Sequence, residues 1–235
     1  MIKLNDQVFF ELKTHMLIAG CTGSGKSTAL KRVIDSLILT HDTIFIMIDL
    51  KRIELGQYKD LSTLLYSVAK DEISAIDVLE KAVDMMELRY KLLDESMDNI
   101  KNFRTLYICI DEIAELTANI DKNIAKESTA LISKLARLGR ACKIHLIVAT
   151  QYPTRQVLSM QVLMNLDYRL CLKTATKQGS RVVLDNSMAF DRLSNVGDAI
   201  LNIPMLYNML KLHINYDSPD YIKAVINARN QANAR

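Results

Sequence analysis

Short, almost wholly apolar runs alternate along this chain with longer stretches in which apolar residues recur every three or four positions. The runs predict strands over residues 8–12, 16–19, 43–49, 106–111, 145–150, 168–174, 198–202 and 209–215. The periodic stretches predict helices over 26–39, 73–97, 123–141, 178–184 and 219–230. Strands apolar at every position fit a parallel sheet covered on both faces, since an open face would alternate. Strand–helix alternation adds right-handed crossovers. The last two strands are joined by residues 203–208 only, which suits an antiparallel hairpin at one edge. Within 73–97, Ile76, Leu79, Val83, Met86 and Tyr90 form the core-facing stripe, and Glu80, Lys81, Glu87, Arg89 and Lys91 a solvated outer face. The predicted fold class is α/β: a mostly parallel central sheet, helices on both faces and an antiparallel edge hairpin.

Composition narrows this picture without redirecting it. Half of the 235 residues are apolar, enough for a sizeable core, and the 7 glycines and 3 prolines leave no linker-like stretch. Residues 1–235 therefore read as a single domain, with the polar end 227–235 expected to fray. A net charge of +3 neither requires nor excludes nucleic acid. Cys21, Cys109, Cys142 and Cys171 lack metal-ligand spacing and read as reduced and structural, which suits a cytoplasmic protein. No apolar run approaches the ~18 residues of a membrane span, so membrane association would need another segment or a partner.

Chemistry enters at residues 20–27. Gly20-Cys-Thr-Gly-Ser-Gly-Lys-Ser27 is an unbroken G-x-x-x-x-G-K-[ST] loop between a predicted strand and a predicted helix. Glycines let the backbone wrap a polyphosphate with its N–H groups, and the helix N-terminus adds partial positive charge. The predicted nucleotide-binding set is Gly20, Thr22, Gly23, Ser24, Gly25, Lys26, Ser27 and Thr28, with Lys26 on the β- and γ-phosphates of ATP and Ser27 on Mg²⁺. The strand 106–111 ends in Asp111-Glu112, a Walker B pattern: Asp111 orients the metal, and Glu112 is placed to act as general base on water. An Asp-Glu pair capping the next helix is the plainer alternative. The strand 145–150 leads to Gln151, a candidate γ-phosphate sensor or a simple turn residue. Arg137 and Arg140, three apart before that strand, share a helical face, and either could reach a neighbouring subunit's nucleotide.

Several ordered blocks then resemble the RecA-like motor domain of FtsK/SpoIIIE double-stranded-DNA translocases. They are His15 to Ser27, Phe45 to Leu55, Ile110 to Leu116, Leu135 to Gln151, Ser180 to Asp185, and Gly197-Asp198, spanning roughly residues 15–200. The resemblance implies a P-loop NTPase of RecA-like type. It implies ATP hydrolysis with Mg²⁺, a homo-oligomer of six subunits, and duplex DNA gripped without regard to sequence. Residue by residue it places Lys26, Glu112, Gln151 and Arg140, rather than Arg137, in the catalytic set. Arg181 and Asp185 fall in a block near a subunit contact or the nucleotide, or form an ion pair.

Departures from the family pattern fall where DNA is gripped. Tyr152-Pro153 stands where the family has Arg-Pro, and Leu163 and Met164 stand where a basic residue is common. Tyr152, Arg155 and Lys177 are left as the candidate DNA contacts. Leu50 replaces a family proline between Asp49 and Lys51, whose side chains lie beside the ATP site or form a strand-end salt bridge. The compact form fits motors of mobile genetic elements, with a relaxase, recombinase or membrane protein as partner. Alternatives are a secretion-type ATPase acting on protein and a nucleotide-gated recruitment module.

Overall fold

The computed structural model describes residues 1–203, 209–215 and 219–233. Two short strands, β1 (Ile2–Lys3) and β2 (Phe9–Phe10), pair antiparallel in a ribbon of their own. The predicted strand over 8–12 thus contributes only two residues, and its partner was not foreseen. Ile2, Leu4, Phe10 and Leu12 seat this ribbon in the core on the side of α1 (Lys26–Ile38).

The main sheet has seven strands: β3 (Met16–Ala19), β4 (Thr43–Ile48), β5 (Thr105–Ile110), β6 (Ile144–Thr150), β7 (Tyr168–Leu172), β8 (Asp198–Asn202) and β9 (Leu210–His213). Their spatial order is β4-β5-β6-β3-β7-β8-β9. The first five run parallel, and β8 and β9 are antiparallel. The expected edge hairpin pairs as predicted, although most of its 203–208 connection lies outside the described residues. The strand carrying the phosphate loop, β3, sits between β6 and β7, so the loop leaves the sheet's centre where chain order reverses, the usual ligand crevice of open α/β sheets.

Both faces are covered. On one, α1 and α8 (Pro219–Asn233) bury Leu30, Val33, Ile34, Ile222 and Ile226. On the other, α2 (Glu72–Glu95), α4 (Lys122–Leu138) and α6 (Lys177–Leu184) bury Leu79, Met86, Ile132, Leu135 and Val183. Three single-turn helices, α3 (Ala114–Thr117), α5 (Met160–Leu163) and α7 (Met188–Asp191), are too short to show a period.

Three expectations need correction. Arg89 is not on the solvated face of α2. It is 7% exposed, and its guanidinium donates to the carbonyls of Cys142, Lys143 and Arg104 at 2.8–3.2 Å. A guanidinium with five donors can be buried when strand-end carbonyls meet it. The polar end expected to fray is helical as far as Asn233, where Asn230 and Asn233 hydrogen-bond the 60–62 segment. Finally, α4 stops at Leu138, and residues 139–142 form a 3-10 turn. Arg137 and Arg140 therefore point to different places: Arg137 lines a groove with Lys126, Gln161 and Met164, and Arg140 lines a cleft with Tyr107 and His145.

Candidate nucleotide site

The phosphate loop is tied to both neighbouring strands. Gly20 N–H donates to the Thr150 carbonyl (3.2 Å) and Cys21 N–H to the Lys173 carbonyl (2.8 Å). Gly23 and Gly25 have φ of 77° and 95°, a region that costs an L side chain dearly. At Gly25 a Cβ would also approach the Gly197 nitrogen to 3.1 Å. Gly197 N–H donates to the Ser24 carbonyl (2.9 Å), so the Gly197-Asp198 block is a clamp on the loop's outer side.

Lys26, the first residue of α1, is 4% exposed, and its ammonium donates to the Asp111 carbonyl (2.9 Å) and carboxylate Oδ1 (3.1 Å). Asp111 ends β5 two strands away, so the sheet order brings the two motifs together. Burial raises the Asp111 carboxyl above its ordinary range; Lys26 opposes this, and the charges of Asp49 and Glu54 add to it.

Glu112 is 4% exposed. Its Oε2 accepts the Gln151 N–H (2.8 Å), and its Oε1 lies 3.4 Å from Ala114 N–H. The Gln151 Oε1 accepts from the Thr22 hydroxyl (2.8 Å). Gln151 thus joins the phosphate loop and the Walker B carboxylate.

The structure puts two further residues here: Lys51, expected beside the ATP site or in a strand-end salt bridge, and Glu54, to which the motifs gave no role. The Asp49 carboxylate accepts the N–H groups of Glu54 (2.9 Å) and Leu55 (2.8 Å), folding residues 49–55 into a tight loop. That loop delivers Glu54 to the Ser27 hydroxyl and to Lys31. Burial alone would raise the Glu54 carboxyl, but the bonds from Lys31 and Ser27 hold it below the usual range. The same loop places the Lys51 ammonium 3.8 Å from Glu112 Oε2 and 3.5 Å from Glu115. For Glu54, its place in the 45–55 block was the sequence signal.

These residues surround an open cleft of about 390 Å³ lined by Thr22, Gly23, Gly25, Lys26, Ser27, Glu54, Gln151 and Val196. An ammonium, hydroxyls and loop N–H groups fit a polyphosphate, and the Ser24 hydroxyl is buried with no protein partner. Among the described residues no group of three His, Cys, Asp or Glu could hold a metal alone. That donor set suits Mg²⁺, which takes one or two protein oxygens and completes its shell with phosphates and water.

Arg140 is not part of this cluster. It is exposed and precedes β6, whereas Gln151 follows it. Seven strand residues at ~3.3 Å each put them roughly 20 Å apart. The candidate DNA contacts lie at the nucleotide end of the sheet. Tyr152 is 59% exposed, Arg155 donates to Met160 Sδ (3.1 Å), and Lys177 opens α6. Pro153 packs beside Gly179, which joins the loop after β6 to the first turn of α6. Lys177 pairs with Asp191 (3.6 Å). Asp185 pairs with Arg169 (3.4 Å), not with Arg181, which is exposed.

A phosphate loop leaving the centre of a mostly parallel sheet, with Asp-Glu and Gln on the two next strands, defines a P-loop NTPase of RecA-like type. The FtsK/SpoIIIE family model matches residues 4–104. The DNA translocase FtsK of Helicobacter pylori (strain J99) is 33% identical over 228 residues, covering 90% of this chain and 26% of the relative. Among solved structures, the pCW3 conjugation coupling protein TcpA with ATPγS superposes with a TM-score of 0.80 at 28% identity, covering 92% of this chain and 65% of TcpA. The cytoplasmic domain of the Thermomonospora curvata type VII secretion ATPase EccC shares the fold, with a TM-score of 0.75 at 23% identity over 92% of this chain and 28% of EccC. The chain is thus similar to FtsK/SpoIIIE family members over most of its length, and it spans about a quarter of the length of the curated relatives it matches.

Proposed function

We propose that this chain is the ATP-hydrolysing motor domain of a double-stranded-DNA translocase that works as a ring of identical subunits, six in number. The observation that carries the reading is a site complete in everything except its arginine. Lys26, Ser27 and Gln151 line one cleft, with Asp111 against Lys26 and Glu112 against Gln151 behind it, while Arg140 stands exposed at the far end of β6. A neighbouring subunit would supply its own Arg140, so that hydrolysis depends on assembly.

In this reading the N–H groups of residues 20–28 and the Lys26 ammonium bind the phosphates of ATP, and Lys26 exchanges Asp111 for them. Ser27 and Asp111 hold Mg²⁺, which neutralises charge on the phosphates. Glu112 takes the proton of the attacking water, and Gln151 orients that water. Tyr152, Arg155 and Lys177 face DNA: Arg155 and Lys177 meet backbone phosphates, and Tyr152 stacks or donates a hydrogen bond. Phosphate contacts carry no sequence information, so movement is indifferent to sequence. The FtsK and TcpA likenesses support DNA as cargo, and TcpA supports a role in the transfer of a mobile element, with a relaxase or membrane partner supplied elsewhere.

The test is the ATPase rate with and without linear duplex DNA, together with ATP-dependent displacement of a protein block. Stimulation and displacement are expected. Hydrolysis indifferent to DNA, with no displacement, would overturn the reading.

A further inference from the structure

Glu112 does not line the nucleotide cleft, although the general base must reach a water there. Its carboxylate is turned into the protein with 2% of the side chain exposed, and both oxygens face donors. Oε2 takes the Gln151 N–H at 2.8 Å and lies 3.8 Å from the Lys51 ammonium; Oε1 faces Ala114 N–H at 3.4 Å. Of these donors, the two N–H groups belong to the backbone, fixed by β6 and α3. Lys51 alone is a long, partly exposed side chain, on a loop whose shape Asp49 dictates.

We propose that Lys51 is a positioning residue that holds Glu112 in a resting orientation, and that hydrolysis requires this contact to be released. The proposal rests on the reading of Glu112 as the base of ATP hydrolysis. A carboxylate oxygen that accepts an amide N–H and faces an ammonium 3.8 Å away is a weaker acceptor for the proton of a water. The Glu112 side chain is 2% exposed and that of Lys51 30%, so their attraction is screened less than that of a fully exposed ion pair. Release is available without unfolding anything. Lys51 is 30% exposed and already pairs with Glu115, 45% exposed, at 3.5 Å, so it keeps a partner when it swings away from Glu112. The ammonium therefore has two acceptors, one on the base and one at the surface. The same loop ties Glu54 to Ser27, so a change at the Mg²⁺ position is transmitted through 49–55 to Lys51. Binding at the phosphate loop and freeing of the base are then one event.

The experiment compares the parent with Lys51→Met and Lys51→Arg, measuring hydrolysis without DNA, hydrolysis with duplex DNA, and ATPγS affinity. Lys51→Met is expected to raise the DNA-free rate about threefold to tenfold, a change of up to about 1.4 kcal/mol in barrier, and to reduce the ratio of stimulated to unstimulated rates by the same factor. Lys51→Arg should restore the low basal rate, and ATPγS affinity should be unchanged in both. In a Glu112→Gln background, Lys51→Met should leave the residual rate where it was, which a merely structural lysine would not require. A basal rate unchanged or lowered by Lys51→Met overturns the proposal. A parent whose hydrolysis ignores DNA defeats the translocase reading instead, and leaves the basal comparison intact as the test of Lys51.

Discussion

The Lys26 ammonium lies 3.1 Å from Asp111 Oδ1 in a setting where both side chains are less than 5% exposed. Among the described residues each is the other's only opposite charge in direct contact, so removal of either leaves a buried charge without that partner. Lys26→Ala should destabilise the protein by about 3 kcal/mol. Urea unfolding of the single variants and of Lys26→Met combined with Asp111→Asn checks this. The double variant should recover part of the loss. A Lys26→Ala protein as stable as the parent would refute the coupling. The same variant should lose the stabilisation that a saturating nucleotide gives the parent, about 2.7 kcal/mol at a hundredfold excess over Kd.

Thr22 and Gln151 come from opposite ends of the chain's motifs and meet at 2.8 Å. Gln151 also holds Glu112, but through its main-chain N–H, which a substitution leaves in place. Gln151→Ala should therefore lower the hydrolysis rate about a hundredfold, the usual scale for one misplaced catalytic group, with ATPγS affinity preserved. Pre-steady-state hydrolysis beside equilibrium binding separates the two. Equal losses in both would mean that Gln151 binds the ground state.

Why these contacts were partly legible is a matter of chain distance. The phosphate loop needs its glycines, lysine and serine within eight consecutive residues, because one turn must wrap one phosphate chain, so the sequence alone shows it. Asp111-Glu112 and Gln151 are visible because a parallel strand must end where its polar residue is used. Glu54 stayed without a role, and Lys51 with two open readings, because the Asp49-centred loop aims them, and hydrogen bonds to backbone N–H groups leave no period in the sequence. Arg89 looked solvated because a charge on a helix usually is; three carbonyls from distant strand ends reversed that. Arg137 and Arg140 looked equivalent only while α4 was taken to run on to 141. The strands were recovered nearly whole because parallel strands buried on both faces are continuous apolar runs.

Arg140 and Gln151 flank the same strand from opposite ends. Arg140→Ala should then leave thermal stability and ATPγS binding unchanged, since the side chain is exposed and outside the cleft, yet abolish hydrolysis in the assembled ring. Mixing Arg140→Ala with Lys26→Ala subunits restores a complete site wherever an intact phosphate loop meets an intact arginine. That is roughly a quarter of the interfaces in an equal mixture of head-to-tail rings. Hydrolysis recovering toward that fraction supports action between subunits. Activity no greater than the sum of the separate variants refutes it.

His15 and His145 pack edge to face with centroids 5.9 Å apart at the end of the sheet remote from the nucleotide, 1% and 6% exposed. Burial lowers His15 to about 3, with the His145 charge adding to it, and lowers His145 to about 4, with Arg140 adding to it. Both are therefore neutral in the folded protein at pH 7, and His15 Nδ1 uses its lone pair to accept Leu146 N–H (2.8 Å). In the unfolded chain each titrates near 6.5, so as pH falls below that value the unfolded state takes up protons that the fold refuses. Stability contributed above pH 6.5 is lost progressively down to about pH 4 for His145 and about 3 for His15. At pH 5 the loss is about 2 kcal/mol for each histidine. His145→Phe keeps a ring against Tyr107 and cannot be protonated. Urea midpoints at pH 7.5 and 5 should show the variant losing about 2 kcal/mol less than the parent over that interval. His15→Phe is the poorer probe, because it would leave Leu146 N–H without an acceptor and add a penalty at every pH. Parallel pH curves for parent and His145→Phe would show that His145 protonates as easily in the fold as out of it.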